Sequence, residues 1–295
     1  MKPRHPLHPY LMVAPTLLVL GLFFVYPLLV ALKDSFYRWD LLTEPEYVGA
    51  ANYARLHRSG ELWAVLGRTL GFGSIVVVAS TALGLGLAIA LNRPGRLYAF
   101  VRGAVFSAYV VSWVAVALLW MLLLDGKAGP LARVASALGV PPINLLGDPR
   151  FALYAIAGVT VWKITGYAMV VYLAGLQAVP RSLFEAAALD GAGPLARFAH
   201  ITWPSLRPTT AFVASTGLIM SFQAFDVVRV MTQGGPVKST TLFVYAIYEE
   251  VFINLRVGRA SALVVVFFFV LLALTALNLW AFRASASRAK KEPAT

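Results

Sequence analysis

The sequence has no cysteine and little charge. Without cysteine, the chain forms no disulfide, holds no metal through thiolates and has no cysteine nucleophile. Charged residues make up 13% of the 295 residues and apolar residues 59%. Soluble domains are about 25% charged and about 45–50% apolar. Because a water-soluble fold cannot bury that much apolar surface, the composition indicates a membrane protein.

Catalytic and nucleotide-binding motifs are also lacking. The four histidines lack the His-Glu-x-x-His spacing of a metal site, and no glycine-rich phosphate loop precedes any lysine. The sequence therefore predicts no enzyme, no metal site and no cofactor on this chain. The net charge of +12 comes from basic residues scattered beside apolar runs. Such residues set orientation and contact anionic lipid, so we expect no nucleic-acid partner.

Long apolar runs recur at the length of a membrane-spanning helix. About 20 apolar residues in a helix cross the hydrocarbon core, and only helices satisfy their own backbone groups there segment by segment. The uncharged fifth run, 209–225, is short and is extended to 207–229. We predict an all-α, polytopic fold, a single transmembrane domain over residues 1–295, with six spans at residues 11–32, 70–91, 103–124, 151–176, 207–229 and 261–282.

The distribution of charge between the loops predicts the orientation. Cytoplasmic loops are enriched in Lys and Arg. Residues 92–102 contain three arginines and no acid, and the tail after Phe282 is basic. Acidic residues are frequent in 33–69 and 226–260. We therefore expect a multi-pass protein with both termini in the cytoplasm.

The longest loop on the predicted cytoplasmic face joins the fourth and fifth spans and has helix signals of its own. Ser182 and Glu185 have the spacing of a capping box, which satisfies free amides at a helix start. Gly191 can end this helix in the left-handed conformation, and Pro194 suits the first turn of another. We predict two short helices on the membrane surface within residues 181–204.

The same loop contains the stretch EAAALDGAGPLARFAHITWPSLRP, residues 185–208. It closely resembles the EAA loop of ABC importer permeases, which implies a type I importer permease fold and a coupling helix that contacts an ATPase subunit. Without the resemblance, the residues also fit an ordinary capped surface helix in which Glu185 bonds its own backbone. The implied coupling residues are Glu185, Ala186, Ala187, Asp190, Gly191, Ala192, Phe198, Ile201 and Pro204.

Two further stretches are similar to the carbohydrate-type permeases of the MalF/UgpA-like class. They are APTLLVLGLFFVYPLLVALKDSFYRW and VVRVMTQGGPVKSTTLFVYAIYEEVF. The resemblance implies the inner-membrane permease subunit of an ATP-driven, binding-protein-dependent importer for sugars or polyols, glycerol 3-phosphate included. The implied partners are a second similar permease, two ATP-binding subunits that hold ATP and magnesium, an extracytoplasmic solute-binding protein and membrane lipid.

The alternative is a single-chain secondary transporter driven by an ion gradient. Such a transporter would need ion-coupling carboxylates or broken helices at the middle of the membrane. The predicted spans contain neither, which favours the importer.

Four polar residues are candidates for the solute path. Lys163 lies near the middle of the fourth span, where a charge faces protein or water; it either lines the path or pairs within the helix bundle. Ser221, Gln223 and Asp226 lie at the outer end of the fifth span beside aromatic residues. Such groups suit the hydroxyls and C–H faces of sugars, although hydrogen bonding between helices is the other role open to them.

Overall fold

Helices form nearly all the regular structure of the part described in this computed structural model, residues 8–141 and 143–289. Within that part the one sheet is an antiparallel pair of two-residue strands, β1 (Tyr37–Arg38) and β2 (Glu46–Tyr47). The helices are α1 (His8–Leu20), α2 (Tyr26–Asp34), α3 (Ala51–Arg58), α4 (Glu61–Leu91), α5 (Arg96–Val110), α6 (Trp113–Leu123), α7 (Pro130–Ala137), α8 (Ala152–Gln177), α9 (Arg181–Leu189), α10 (Pro194–Arg197), α11 (Trp203–Phe222), α12 (Asp226–Met231), α13 (Phe243–Tyr248) and α14 (Val257–Ala289), with π-helical turns at Gly21–Val25, Phe198–Thr202 and Glu249–Ile253.

Five helical stretches of the described chain are long and apolar enough to cross a membrane, and the bent pair α5–α6 makes a sixth if it counts as one span. The predicted all-α, polytopic fold is confirmed. The second stretch is longer than predicted, because α4 begins at Glu61 and not near residue 70. The five stretches are Tyr10–Asp34, Glu61–Leu91, Ala152–Gln177, Pro194–Met231 and Val257–Asn278.

The third predicted span, 103–124, is not one helix, which corrects the prediction. Helix α5 ends at Val110, α6 begins at Trp113, and the two helices are bent by 100°. Between them Val111 and Ser112 have ψ angles of 144° and 139°, which is extended backbone. The sequence between residues 104 and 125 contains no proline or glycine, so the usual signals of a kink are lacking.

The chain divides into two compact units. The smaller consists of the described residues through Ala64 together with Ala246–Val270. The larger consists of Val65–Tyr245 and the described residues from Leu271.

In the smaller unit, an amide side chain ties α3 to the preceding segment. Asn52, 5% exposed, donates to the carbonyls of Ser35 at 2.8 Å and Tyr37 at 2.9 Å. These carbonyls lie at the end of α2 and in β1, where the helical and strand patterns leave acceptors free. One side chain therefore fixes the turn from the first span into the strand pair.

The smaller unit also contains a cluster of three charged side chains. The guanidinium of Arg259 contacts the carboxylate of Glu61, and its Nε lies 3.4 Å from Oε2 of Glu250. The side chain of Glu250 is only 4% exposed, and Asn254 donates to its other oxygen at 2.9 Å. A buried carboxylate is costly unless it is paired in this way.

In the larger unit, glycines let the helices around α8 approach closely. A Cβ on Gly84 of α4 would lie 2.6 Å from the Cβ of Ala168. A Cβ on Gly166 would lie 2.5 Å from the carbonyl oxygen of Val105 in α5. Small residues at such crossings are what lets membrane helices pack. The close contact of α5 with α8 matters for the site, because it brings the end of α5 beside Lys163.

Candidate functional site

Helix α9 carries the first half of the loop between the fourth and fifth spans and ends in a hydrogen-bonded turn. The amide of Ala192 donates to the carbonyl of Ala187 at 2.8 Å, and the amide of Gly191 donates to the carbonyl of Ala188 at 3.2 Å. Gly191 has a φ of +73°, which residues with a Cβ rarely adopt. The two bonds form a Schellman motif, and the predicted helix end at Gly191 is confirmed.

The start of α9 differs from the prediction. The helix begins at Arg181 with Pro180 as its N-cap, and no side chain forms a cap hydrogen bond. The predicted capping box of Ser182 and Glu185 is therefore wrong. The reason is a shift of two positions: Ser182 lies inside the first turn, where its hydroxyl cannot bond the amide three residues on as an N-cap does. Glu185 is exposed, and its side chain makes no hydrogen bond to the described residues.

The second short helix, α10, is continuous with the fifth span. It starts at Pro194 as predicted, with Gly193 as N-cap. A π-helical turn then leads directly into α11, so the prediction of two separate surface helices is corrected. The physical reason is Pro204, which has no amide hydrogen to donate; the wider π turn before it accommodates the missing bond and the helix continues.

Arg197 fixes the corner between α9 and α10. Its Nε donates to the carbonyl of Ala192 at 2.7 Å, across the turn made by Gly191. Sequence reasoning missed this residue. The only available signal is a basic side chain shortly after a helix end, where it can bond the last free carbonyls.

The loop has two different faces. No residue of α9 is buried, and Leu189 and Leu195 are 90% and 82% exposed. Phe184 and Phe198 instead line a cavity of about 340 Å³ that also touches the end of α4. The two leucines therefore project from the loop, whereas the phenylalanines anchor it. Of the other implied coupling residues, Ala186 and Asp190 are exposed and Ala187, Ala192, Ile201 and Pro204 are half-buried.

A second candidate site is a cavity of about 270 Å³ between the α5–α6 break and the end of α11. Two of the predicted path residues, Gln223 and Asp226, line it. Tyr109 and Trp113, which flank the break, supply aromatic walls that sequence reasoning missed. The sequence gives no signal for these walls, because no proline or glycine between residues 104 and 125 indicates the break that positions them. The lining is Tyr109, Trp113, Met220, Gln223, Ala224, Phe225, Asp226 and Val227.

The other two predicted path residues do not line this cavity. Ser221 is fully buried and donates to the carbonyl of Leu218 at 2.8 Å within its own helix. Lys163 is 1% exposed, and its ammonium donates to backbone carbonyls of α5 and the residue after it. Of the two roles left open for Lys163, the structure therefore describes pairing within the bundle.

In the described residues, no group of three or more His, Asp or Glu side chains could hold a metal ion. The described residues thus offer two candidate sites, neither of them a metal centre: the surface loop of α9 and α10, and the cavity of aromatic and polar side chains at the α5–α6 break.

Comparisons with known proteins agree with one another. Residues 81–291 match the family described as binding-protein-dependent transport system inner membrane component. The sn-glycerol-3-phosphate transport system permease protein UgpA of Agrobacterium fabrum is 33% identical over 270 residues, 91% of this chain and 92% of the relative. The trehalose/maltose transport system permease protein MalF of Thermococcus litoralis is 36% identical over 234 residues, 79% of each chain.

The fold is similar to a chain of a bacterial ABC transporter involved in the import of the acidic polysaccharide alginate. The TM-score is 0.82, with 21% identity and coverage of 93% of this chain and 94% of that one. At that identity the likeness concerns the fold alone.

Proposed function

The chain belongs to the family of binding-protein-dependent transport system inner membrane components, and on that basis we propose that it forms half of the translocation path of an ATP-driven importer for sugars or polyols. It is a transport component and not an enzyme. The ABC importer permease fold predicted from the EAA loop is confirmed.

The secondary transporter is not favoured, although one reason given against it was wrong. The third predicted span is broken, so the expected lack of broken helices does not count against a secondary transporter. What decides against a single-chain transporter is the family, whose members work with a separate binding protein.

Membership implies an ATPase and a solute-binding protein as partners. We propose two ATPase subunits, which hold ATP and magnesium, and a second similar permease that completes the path. Both termini lie in the cytoplasm in this proposal, supported by the basic loop at residues 92–102 and the basic tail. The loop of α9 and α10 then faces the cytoplasm.

The observation that carries the coupling role is the ordered, exposed corner of that loop. Gly191 and Arg197 hold it in one conformation, and Leu189 and Leu195 project from it. Burying such side chains against a partner is favourable, by about 25 cal/mol per Å² of apolar area. Because α10 continues into α11, movement of a partner bound here would be transmitted to the fifth span as a rigid-body displacement.

The cavity lining supports a neutral, hydroxyl-rich solute. The rings of Tyr109 and Trp113 suit the C–H faces of sugars, and the amide of Gln223 and carboxylate of Asp226 suit hydroxyls. None of the lining residues is basic, and the ammonium of Lys163 is bonded elsewhere. We therefore propose a sugar such as those named for the MalF relative; glycerol 3-phosphate would need cations from the partner permease.

The experiment compares two glycines of the loop. Gly191 has a φ of +73°, whereas Gly193 has a φ of −70°, and neither has an atom near its Cβ position. Gly191→Val forces a strained backbone, at a cost of about 1–2 kcal/mol or more, and should displace the corner; Gly193→Val should not.

Each variant is reconstituted in proteoliposomes with the second permease, the ATPase and the solute-binding protein, and uptake and ATP turnover are measured. We expect Gly191→Val to insert normally but to lose most of its uptake per ATP hydrolysed. Equal coupling ratios in the two variants would count against the role assigned to the loop.

A further inference from the structure

Lys163 is a cation buried in the middle of α8, in a stretch predicted to span the membrane. Its side chain is 1% exposed. Its ammonium donates to the carbonyl of Ala108 at 3.1 Å, to that of Tyr109 at 3.1 Å and to that of Val111. An ammonium has three hydrogens to donate, so none is left for another ligand.

The three acceptors lie at one place, the end of α5. The last four carbonyls of a helix have no partner within it, and they form the negative end of its dipole. In lipid, with no water to bond them, such groups must be satisfied by protein. Lys163 supplies donors and positive charge together, and so allows α5 to end in the apolar layer.

Close packing brings the lysine to this end. Gly166 lies one turn after Lys163 and has no side chain to keep α8 away from α5. A Cβ on Gly166 would lie 3.0 Å from the Cα of Phe106. Beside it, the ring of Tyr167 stacks on that of Tyr109 with centroids 5.2 Å apart. The end of α5 is therefore held by α8 through backbone and ring contacts at once.

The residues that flank the break are the aromatic walls of the cavity. Tyr109 offers its carbonyl to Lys163 and also lines the cavity. The ring of Trp113, the first residue of α6, lies with its centroid 4.8 Å from the Nζ of Lys163, within reach of a cation–π interaction. One ammonium thus contacts both sides of the bend.

We propose that Lys163 is a positioning residue for the solute cavity: it holds the α5–α6 bend and so places Tyr109 and Trp113 against the solute without touching it. The inference rests on the proposed function of that cavity as part of the solute path. It assigns Lys163 a role other than attraction of anionic solutes, because all three of its hydrogens are bonded to the backbone.

The test uses three variants and one reporter. Lys163→Met removes charge and donors at similar length, Lys163→Arg keeps both, and Lys127→Met removes an exposed lysine as the matched control. Because the chain has no cysteine, Ser112→Cys places one thiol in the bend. The rate at which a methanethiosulfonate reagent labels this thiol in the assembled transporter is compared across the variants.

Uptake of maltose, trehalose and glycerol 3-phosphate is measured with the same variants, without the reporter, in proteoliposomes that contain the complete transporter. For Lys163→Met we expect a labelling rate changed severalfold and a KM raised about tenfold, the effect of losing about one solute contact. Lys163→Arg and Lys127→Met should stay within about twofold of the unchanged chain. Poor folding alone would reduce the amount of transporter and its maximal rate but leave KM unchanged.

An unchanged labelling rate in Lys163→Met would overturn the proposal, because the bend would not depend on the lysine. A changed labelling rate with unchanged KM would overturn the link to the solute. If the unaltered transporter takes up none of the three solutes, the proposed substrate class fails, while labelling still decides whether Lys163 holds the bend.

Discussion

Replacing Gly84 by alanine tests the packing of α4 on α8. The new Cβ would lie 2.6 Å from the Cβ of Ala168 and 3.0 Å from the backbone nitrogen of Met169. Ordinary contact is 3.4–4 Å, so the two helices must separate by about 1 Å at the crossing. Two of the nearest atoms belong to backbone, which cannot rotate away, and overpacking of this kind costs about 1–3 kcal/mol.

The matched control is Gly86→Ala, two residues along the same helix. Gly86 is exposed, and a Cβ there would meet nothing within 4 Å. Alanine favours a helix over glycine by roughly 0.5–1 kcal/mol. Both variants gain this amount because both lie in α4, so they should differ in stability by the overpacking cost alone, about 1–3 kcal/mol.

The assay is thermal unfolding of the detergent-solubilised chain. After heating to each temperature, size-exclusion chromatography measures the fraction of the chain that stays monodisperse. We expect Gly84→Ala to unfold at a lower temperature than the unchanged chain and Gly86→Ala at an equal or higher one. Equal midpoints for the two variants would show that α4 and α8 do not meet at this glycine.

Two further substitutions are measured in the same way. Gly234→Ala places a Cβ 2.7 Å from the ring of Tyr245 at a φ of +78°, which costs about 1–2 kcal/mol for the backbone alone. Gly158→Ala in α8, with open space around it, should be neutral or slightly stabilising, and equal loss in both would contradict the turn geometry. Arg259→Gln leaves the buried carboxylate of Glu250 without its cation, a loss of about 3–5 kcal/mol, whereas the same change at exposed Arg256 should cost little. Equal midpoints for these two arginine variants would contradict a specific contribution of the ion cluster to stability.

Most of the fold could be predicted from hydrophobicity. Apolar runs of about 20 residues form helices in lipid, and five of the six predicted spans fall on helical stretches long and apolar enough to cross a membrane. The break at Val111 could not be predicted locally, since the run 103–124 is uncharged and has no proline or glycine near the break. Its stabilising partner, Lys163, is 52 residues away in sequence, and only folding brings the two together.

The loop of α9 and α10 illustrates the same limit at shorter range. Gly191 was predictable because a left-handed helix end favours one residue type. The capping box failed because Pro180 starts α9 before Ser182, and a motif two positions out of register has no capping effect. Of the residues that line the cavity at the bend, sequence patterns singled out Gln223 and Asp226 but missed the aromatic side chains of Tyr109 and Trp113.

The continuity of α10, the π turn and α11 has a mechanical consequence. From Pro194 to Phe222 the chain is one helical rod of 29 residues, roughly 43 Å long at 1.5 Å per residue. Tilting a lever arm of that length by about 10° around its lower end would swing its tip through roughly 7 Å. Gln223 and Asp226 follow directly after that tip, so a small rotation at the Pro194 end would move these two cavity residues by several ångströms.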